Sequence, residues 1–569
     1  MDLQSTAPSN LSQSSSGRNG PRSRNGCWTC RTKKVKCDES RPQCRRCLRL
    51  KLLCDYKPRR KDIRLKWEVC LERGRTPGEC ESLTGELLNE SLQKEAQGRS
   101  LSAIRMPVLS TSASSVILTG IDHEAIRYFR TTFAQLHHTK TADYSMYSIM
   151  FKVAETNPIV MHMVLAIGGR EMEFHRRLCT TERGASSPLN HYSSALKLMA
   201  QVIGDEETTR LSFESTYTAL YLMLLYEQKY GDEKCLGFGN HLNGAALMLK
   251  QHFSDNRGLL NHVCGLNQRS VLSRISESNQ ISLYAARLIM WIVQFDISAA
   301  SSGVGGQLHA TIYGLLDAEI ISGGTDDYNS INVLDRFEQL HHFSSQLYRT
   351  LWGKEYPQSE LLDDVENRNI FFLEGACIQL RFVVAQLAQP RESQTNETNM
   401  ERKTLDAEVA IDNVSNRFID LIEVAVSLSP ATDNSHRLVA NLRRVIPLYY
   451  AVILSFLRVK SGLRQRKLNS RQNEALRQIM NLAFQAHKYD GEKAMVRIAW
   501  PLFIVAVETD DRLQREWVLG RFSAISKFGL NLQRAYRFLA HVVESQSQLG
   551  RRVDIQRQLQ TGDFEVFVI

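Results

Sequence analysis

Six cysteines stand within 28 residues near the N-terminus: Cys27, Cys30, Cys37, Cys44, Cys47 and Cys54. Their spacing is C-x2-C-x6-C-x6-C-x2-C-x6-C, which is one half, C-x2-C-x6-C, written twice. Thiolates are soft metal ligands, and a C-x2-C pair grips zinc from a turn leading into a short helix. The remaining cysteines, from Cys70 to Cys377, are scattered and suggest no framework. The opening residues MDLQSTAPSNLSQSSSG hold no apolar h-region, so no secretory signal is read and a reducing compartment is expected. There, clustered thiols are expected to bind metal rather than pair as disulfides.

Each half supplies three thiolates, one short of a tetrahedral zinc site. Sharing one cysteine from each half as a bridge completes two tetrahedra with six sulfurs. Two other readings compete. One is a disulfide or chance cluster, which the regular spacing disfavours. The other is a single four-cysteine site using Cys27/Cys30 and Cys44/Cys47, the spacing of a nuclear-receptor first finger. It leaves Cys37 and Cys54 unused at equal offsets, and Cys70 and Cys80 cannot build the second finger it requires.

Charge is concentrated around the same segment. The chain has a net charge of +10, yet residues 1–66 carry 18 Lys/Arg against 5 Asp/Glu, and the other 503 residues are close to neutral. Such asymmetry points to a polyanion, nucleic acid or an acidic membrane, with a solvated basic tail as the plain alternative. Between Cys27 and Cys54 there are nine basic and two acidic residues. Two Zn²⁺ and six thiolates sum to about −2, which leaves an excess of roughly +5 suited to phosphates. Arg31–Lys36 reads as a short helix of a length that suits a major groove.

The stretch GCWTCRTKKVKCDESRPQCRRCLRLKLLCDY resembles the fungal zinc binuclear cluster DNA-binding domain of the galactose-regulator type. The likeness rests on all six cysteines, the basic run Arg31–Lys36, Asp38 after the third cysteine and Pro42 before the fourth. Cys-Trp-Thr-Cys and Ile63–Trp67 are most similar to the subset containing arginine-metabolism regulators. The resemblance implies two zinc ions per chain. Cys27 and Cys44 would bridge, Cys30 and Cys37 would complete one site, and Cys47 and Cys54 the other. It also implies that Pro42, often cis in the family, shapes the loop between the halves. Lys34, with Lys33 beside it, would read the guanines of a CGG triplet in double-stranded DNA, since an ammonium can donate to the adjacent N7 and O6 acceptors. Arg31, Lys36, Arg45, Arg46 and Arg49 are expected on phosphates, which position without specifying. Lys57, Arg59, Arg60 and Lys61 form a nuclear-import candidate or a basic linker. Many relatives dimerise through a coiled coil after this linker. Here Leu83, Leu87, Leu88, Leu92 and Ala96 give at most two heptads, so binding as a monomer or dimerising through the C-terminal region both stay open.

The elements behind the cluster read as helical. Gly and Pro together make about 8% of the chain against a usual ~12%, which disfavours a turn-rich β architecture. The longest near-apolar run, Val445–Leu457, has 13 residues, shorter than the ~20 a spanning helix needs, so no membrane partner is expected. One-sided apolar faces are expected at Tyr192, Ala195, Leu196, Met199 and Ile203, and again at Leu476, Ile479, Met480, Ala483, Phe484 and His487. Thr216–Tyr226 and Leu288–Val293 are apolar nearly all round and should be central. Pro390–Lys403 reads as a surface loop dividing two lobes, and His241 as a structural histidine or a pocket residue. The final Asp563–Ile569 reads as a short strand or docking segment, with coactivator recruitment as the alternative.

Asn157–His175, His241–Leu249 and Trp500–Asp510 resemble the fungal-specific transcription-factor domain, which implies an all-helical regulatory region open to an effector or coactivator. The expected organisation is mainly α: a disordered N-terminus (1–25), the two-zinc cluster domain (26–56), a basic linker and spacer (57–118), the helical regulatory domain (119–555) and a tail (556–569). No nucleotide-binding, zinc-protease or nucleophile-elbow motif occurs, so no enzyme is read. The function expected is a nuclear, zinc-dependent, sequence-specific RNA polymerase II transcription factor for one pathway or gene cluster. The alternative is a zinc-stabilised module binding nucleic acid without sequence preference.

Overall fold

A computed structural model of the chain describes residues 26–27, 29–30, 35–50, 52, 54, 56, 116–137, 139–177, 187–204, 213–253, 281–316, 330–389, 397–462, 467–560 and 563–569. The chain forms two units, Met1–Ser110 and Thr111–Ile569. Among the described residues helices dominate and no strand occurs. The expected N-terminal tail, the import candidate, the leucine heptads and nearly all of the spacer lie outside the described residues.

In the first unit the cysteines themselves are the core. Cys27, Cys30, Cys37, Cys44 and Cys47 are buried, with Val35, Leu52, Cys54 and Tyr56 packed against them. The helix Arg45–Arg49 (α1) is its longest described element. Among the described residues of this unit little apolar side chain is gathered, the condition in which small domains depend on metal or cross-links for stability.

The helical unit starts where local chemistry says a helix can. Thr119 caps Gly120–Tyr128 in a capping box with Asp122. Asn157 accepts the N–H groups of Ile159 and Val160, and Pro158 occupies the first turn of Pro158–Arg177 (α2), where its missing N–H costs nothing. Gly168 lets Gly120–Tyr128 approach α2 closely, because a Cβ there would sit 2.3 Å from the Ala125 carbonyl oxygen.

Two hydrophobic cores follow. The first gathers α2, Phe213–Tyr230 (α3) and Leu283–Ala300 (α4), and every residue from Thr216 to Tyr226 is buried. The second gathers Arg437–Ser461 (α6), Ser470–Asp490 (α7), Ala499–Glu508 (α8) and Leu530–Leu549 (α9). Arg368–Ala388 (α5) serves both, with Phe382 in the first and Leu373, Cys377 and Leu380 in the second.

Several expectations are corrected. Apart from Phe382 and Val568, the first core ends at Tyr356 and the second begins at Ile370, so the change of core does not fall at Pro390–Lys403, of which residues 390–396 lie outside the described residues. Residues from Glu397 onward are helical, continuing to Arg417, because Asn399 and Glu401–Lys403 form the exposed side of a helix whose later turns bury Ala407, Ala410 and Ile411. Leu196, Ile203 and Phe484 are exposed rather than on the core faces of their helices. The buried stripe of Ser187–Gly204 runs through Tyr192, Ala195 and Met199, and Phe484 instead packs on Trp517 at 4.4 Å. His241 is held by the Tyr192 hydroxyl at 3.0 Å, as a structural histidine would be. By length and mean hydropathy α4, α5 and α6 each match a membrane span, which the 13-residue run did not foresee, but more than half of each window is buried inside the unit.

Candidate metal centre and nucleic-acid interface

The second half-motif shows how the chain presents thiols. Cys44 is extended and caps α1, and its sulfur accepts the Cys47 N–H at 3.4 Å. A carboxylate oxygen of Asp38 accepts the Arg45 N–H at 3.0 Å and also the Ser40 hydroxyl, so the residue after the third cysteine ties the first half to the start of α1. These two donors hold the Asp38 carboxyl at about 2, below the ordinary carboxylate range. The Arg41–Pro42 peptide between them is cis.

The duplication read from the spacing is also a duplication of hydrogen bonds, offset by 17 residues. Cys30 N–H reaches Cys27 sulfur at 3.5 Å, as Cys47 N–H reaches Cys44 sulfur. Cys27 N–H meets Cys37 sulfur at 3.4 Å, and Cys44 N–H meets Cys54 sulfur at 3.2 Å. Val35 N–H returns to the Cys30 carbonyl at 3.0 Å, and Leu52 N–H to that of Cys47 at 2.9 Å. Backbone N–H groups pointing at sulfur are what thiolates need as buried anions.

The sulfurs form two sets of four, Cys27/Cys30/Cys37/Cys44 and Cys27/Cys44/Cys47/Cys54, each within 4.8 Å. None of the six cysteines is in a disulfide. Cys27 and Cys44 lie 3.7 Å apart, Cys27 and Cys47 3.7 Å, and Cys30 and Cys44 3.8 Å. A tetrahedron with metal–sulfur bonds of about 2.3 Å has edges of about 3.8 Å, so the donor set fits zinc. Burial, assisted by neighbouring thiols, pushes the Cys27 and Cys47 thiols up, Cys47 to about 12. Burial opposes ionisation of Cys44 as well, but the Cys47 N–H and the adjoining thiols hold it at about 6. Six thiolates packed this closely require compensating cations.

Around this centre Lys36 and Arg45 are exposed and Arg46 is half-buried. Arg31, Lys33 and Lys34 lie outside the described residues, as do Lys57, Arg59, Arg60 and Lys61. Tyr56 is a participant that spacing did not reveal. Its hydroxyl donates to the Ser40 carbonyl at 3.2 Å and lies 3.5 Å from the Cys37 sulfur, while Arg41 stacks over its ring at 5.0 Å. It draws the end of the second half onto the loop between the halves. An aromatic residue two positions after the last cysteine was the available signal.

A small six-thiol centre and a separate two-core helical unit define the class of protein. Residues 25–63 match the family described as fungal Zn(2)-Cys(6) binuclear cluster domain. Residues 125–542 match the fungal specific transcription factor domain, and the chain belongs to that family. Both are families of transcription regulators, not enzymes. Among curated relatives, the chain is 50% identical over 54 residues to sterol uptake control protein 2 of Candida albicans, covering 9% of this chain and 8% of that protein. It is 63% identical over 38 residues to the aspercryptin biosynthesis cluster-specific transcription regulator atnN of Emericella nidulans, 6% of each chain. It is 43% identical over 58 residues to arginine metabolism regulation protein II of Saccharomyces cerevisiae, 9% of this chain and 6% of that one. The matched stretches thus span less than a tenth of the relatives' length. No solved structure matches the chain.

Proposed function

We propose that this protein is a nuclear, sequence-specific DNA-binding regulator of RNA polymerase II transcription whose cluster domain holds two zinc ions. Cys27 and Cys44 bridge the ions, Cys30 and Cys37 complete one site, and Cys47 and Cys54 complete the other. The observation that carries this reading is that Cys27 and Cys44 alone belong to both sets of four neighbouring thiols. The metal supplies a folded scaffold and no chemistry.

On that scaffold Lys34, with Lys33 beside it, donates to guanine N7 and O6 of a CGG triplet in the major groove. Arg31, Lys36, Arg45 and Arg46 bind phosphates, for which the exposure of Lys36 and Arg45 gives support. Lys57, Arg59, Arg60 and Lys61 direct nuclear import. The helical unit carries regulation of one pathway or gene cluster through an effector, a coactivator or a second copy of the chain.

Selection of bound duplexes from a random-sequence pool tests the reading. Enrichment of CGG-containing sites is expected, and equal retention of all sequences overturns specificity in favour of a non-specific nucleic-acid module.

A further inference from the structure

The helical unit carries a partly open pocket with a cavity volume of about 540 Å³, within the roughly 300–1,000 Å³ typical of small-molecule sites. Its walls come from segments far apart in sequence: α3, α4, the histidine-bearing end of Ser330–Ser344, α5 and α6. Aromatic rings line much of it, among them Tyr147, Tyr221, Trp291, Tyr348 and Phe372. Tyr221 and Trp291 lie 5.4 Å apart, and Tyr147 is 5.9 Å from Trp291, so these three rings form a continuous wall.

Charge is set into this wall unevenly. Each lining carboxylate already has a cation: Asp363 pairs with Arg437, Asp364 with Lys140, and Glu374 with Arg444. Arg287 has no carboxylate partner among the described residues. It donates to the Ser344 carbonyl at 3.1 Å and lies 3.4 Å from His341 Nε2, while its buried Nε has no partner. Burial lowers the His341 imidazole to about 3, so it is neutral and accepts from Arg287 rather than balancing its charge. Burial also lowers the Arg287 guanidinium from its ordinary value, against the opposing pull of Tyr348, Asp364 and Glu374, none of which reaches it as an ion-pair partner. Arg287 keeps part of its surface accessible and lines the cavity. On α4 the lining residues Arg287, Met290, Trp291 and Gln294 share one face, where polar groups interrupt an otherwise apolar helix.

We propose that this cavity binds a small organic anion with a flat apolar body, its acid group received by the Arg287 guanidinium and its body by the aromatic wall. A guanidinium is the side chain suited to bidentate capture of a carboxylate, and the rings accept a planar apolar surface. The proposal is independent of the DNA reading, because nothing in it uses the zinc cluster.

The test is calorimetric titration of the full chain with two probes of one shape, 1-naphthoate and the uncharged 1-naphthamide. Naphthoate is expected to bind at least about 10-fold more tightly, the scale of a charge-assisted hydrogen-bonded pair. Arg287→Met should erase that preference while leaving naphthamide binding in place, and Arg287→Lys should restore part of it. Equal affinities in the unaltered chain, a preference that survives Arg287→Met, or no binding of either probe at millimolar concentration overturns the proposal. Ile378→Trp, on α5 and lining the same cavity, provides a second arm should the Arg287 variants fail to fold. It should weaken both probes together, and unchanged affinity for both places them elsewhere and overturns the assignment. DNA binding is not read in either arm, so this result and that of the duplex selection stand or fall separately.

Discussion

Phe567 and Val568 are neighbours in the chain and members of different cores: Phe567 is buried in the second and Val568 in the first. The backbone around them is anchored on both sides. Ser302 donates to the Phe567 carbonyl at 2.7 Å, Asn531 to that of Val568 at 3.1 Å, and Arg381 to that of Ile569 at 2.9 Å. Arg381 in turn stacks on Trp500 at 4.1 Å. Phe564 and Phe567 both pack on Phe538, at 5.3 and 5.5 Å. Residues 563–569 therefore form no strand and act as a docked segment spanning the two cores.

Phe567→Ala should destabilise the helical unit by about 3–5 kcal/mol, the range for removing a buried aromatic side chain. Val568→Ala should cost less. Denaturant unfolding followed by circular dichroism checks this. Wild-type stability in Phe567→Ala would show that the segment does not hold the cores together.

Metal content tests the bridge. Elemental analysis of the purified chain should give two zinc ions, and Cys44→Ala should lose both because its sulfur belongs to both sets. Cys54→Ala removes a ligand from one set only and should retain more metal than Cys44→Ala. Equal retention in the two variants contradicts the bridging assignment.

For base reading, Lys34→Ala should reduce discrimination between CGG and a triplet altered at guanine by about 1–3 kcal/mol, measured by competition binding. Full discrimination in that variant moves the reading role to another residue.

If six or more phosphates are neutralised, affinity for DNA should fall by about 10³ or more between ~50 and ~200 mM salt. Arg45→Ala should make that dependence shallower without changing the preferred sequence. A salt response unaltered by Arg45→Ala removes Arg45 from the phosphate contacts.

Stability of the helical unit should depend on pH through His309. Its ring is fully buried, stacked on Phe382 at 3.8 Å, with Nε2 2.6 Å from Gln379 Oε1. Burial, against the hydrogen bond to Gln379, lowers this imidazole from 6.5 to about 4. The unfolded chain then binds the proton more readily, so the contribution is complete above about pH 6.5 and is lost as pH falls towards about 4. Between about pH 7.5 and pH 5 this one group should remove roughly 2 kcal/mol, and His309→Gln should flatten that part of the profile. Urea midpoints at the two pH values decide it, and an unchanged slope in His309→Gln would exclude this histidine as the source.

The clustering of the six thiols was legible in the sequence because its information is local. Six cysteines lie within 28 residues, and the doubled C-x2-C-x6-C leaves few ways for them to gather. The predominance of helix was legible for the same reason, since periodicity and scarce glycine and proline act along a short window. Which face of a helix is buried was only partly so: Tyr192 and Ala195 followed the pattern, whereas Leu196 and Phe484 turned outward because neighbouring helices, not the stripe itself, choose the covered side. Tertiary structure alone decided the rest. Arg287 meets His341 across 54 residues, and Arg381 meets Ile569 across 188. Contacts at such separation leave no periodic trace, because they arise from how whole helices pack rather than from any spacing a single segment can carry.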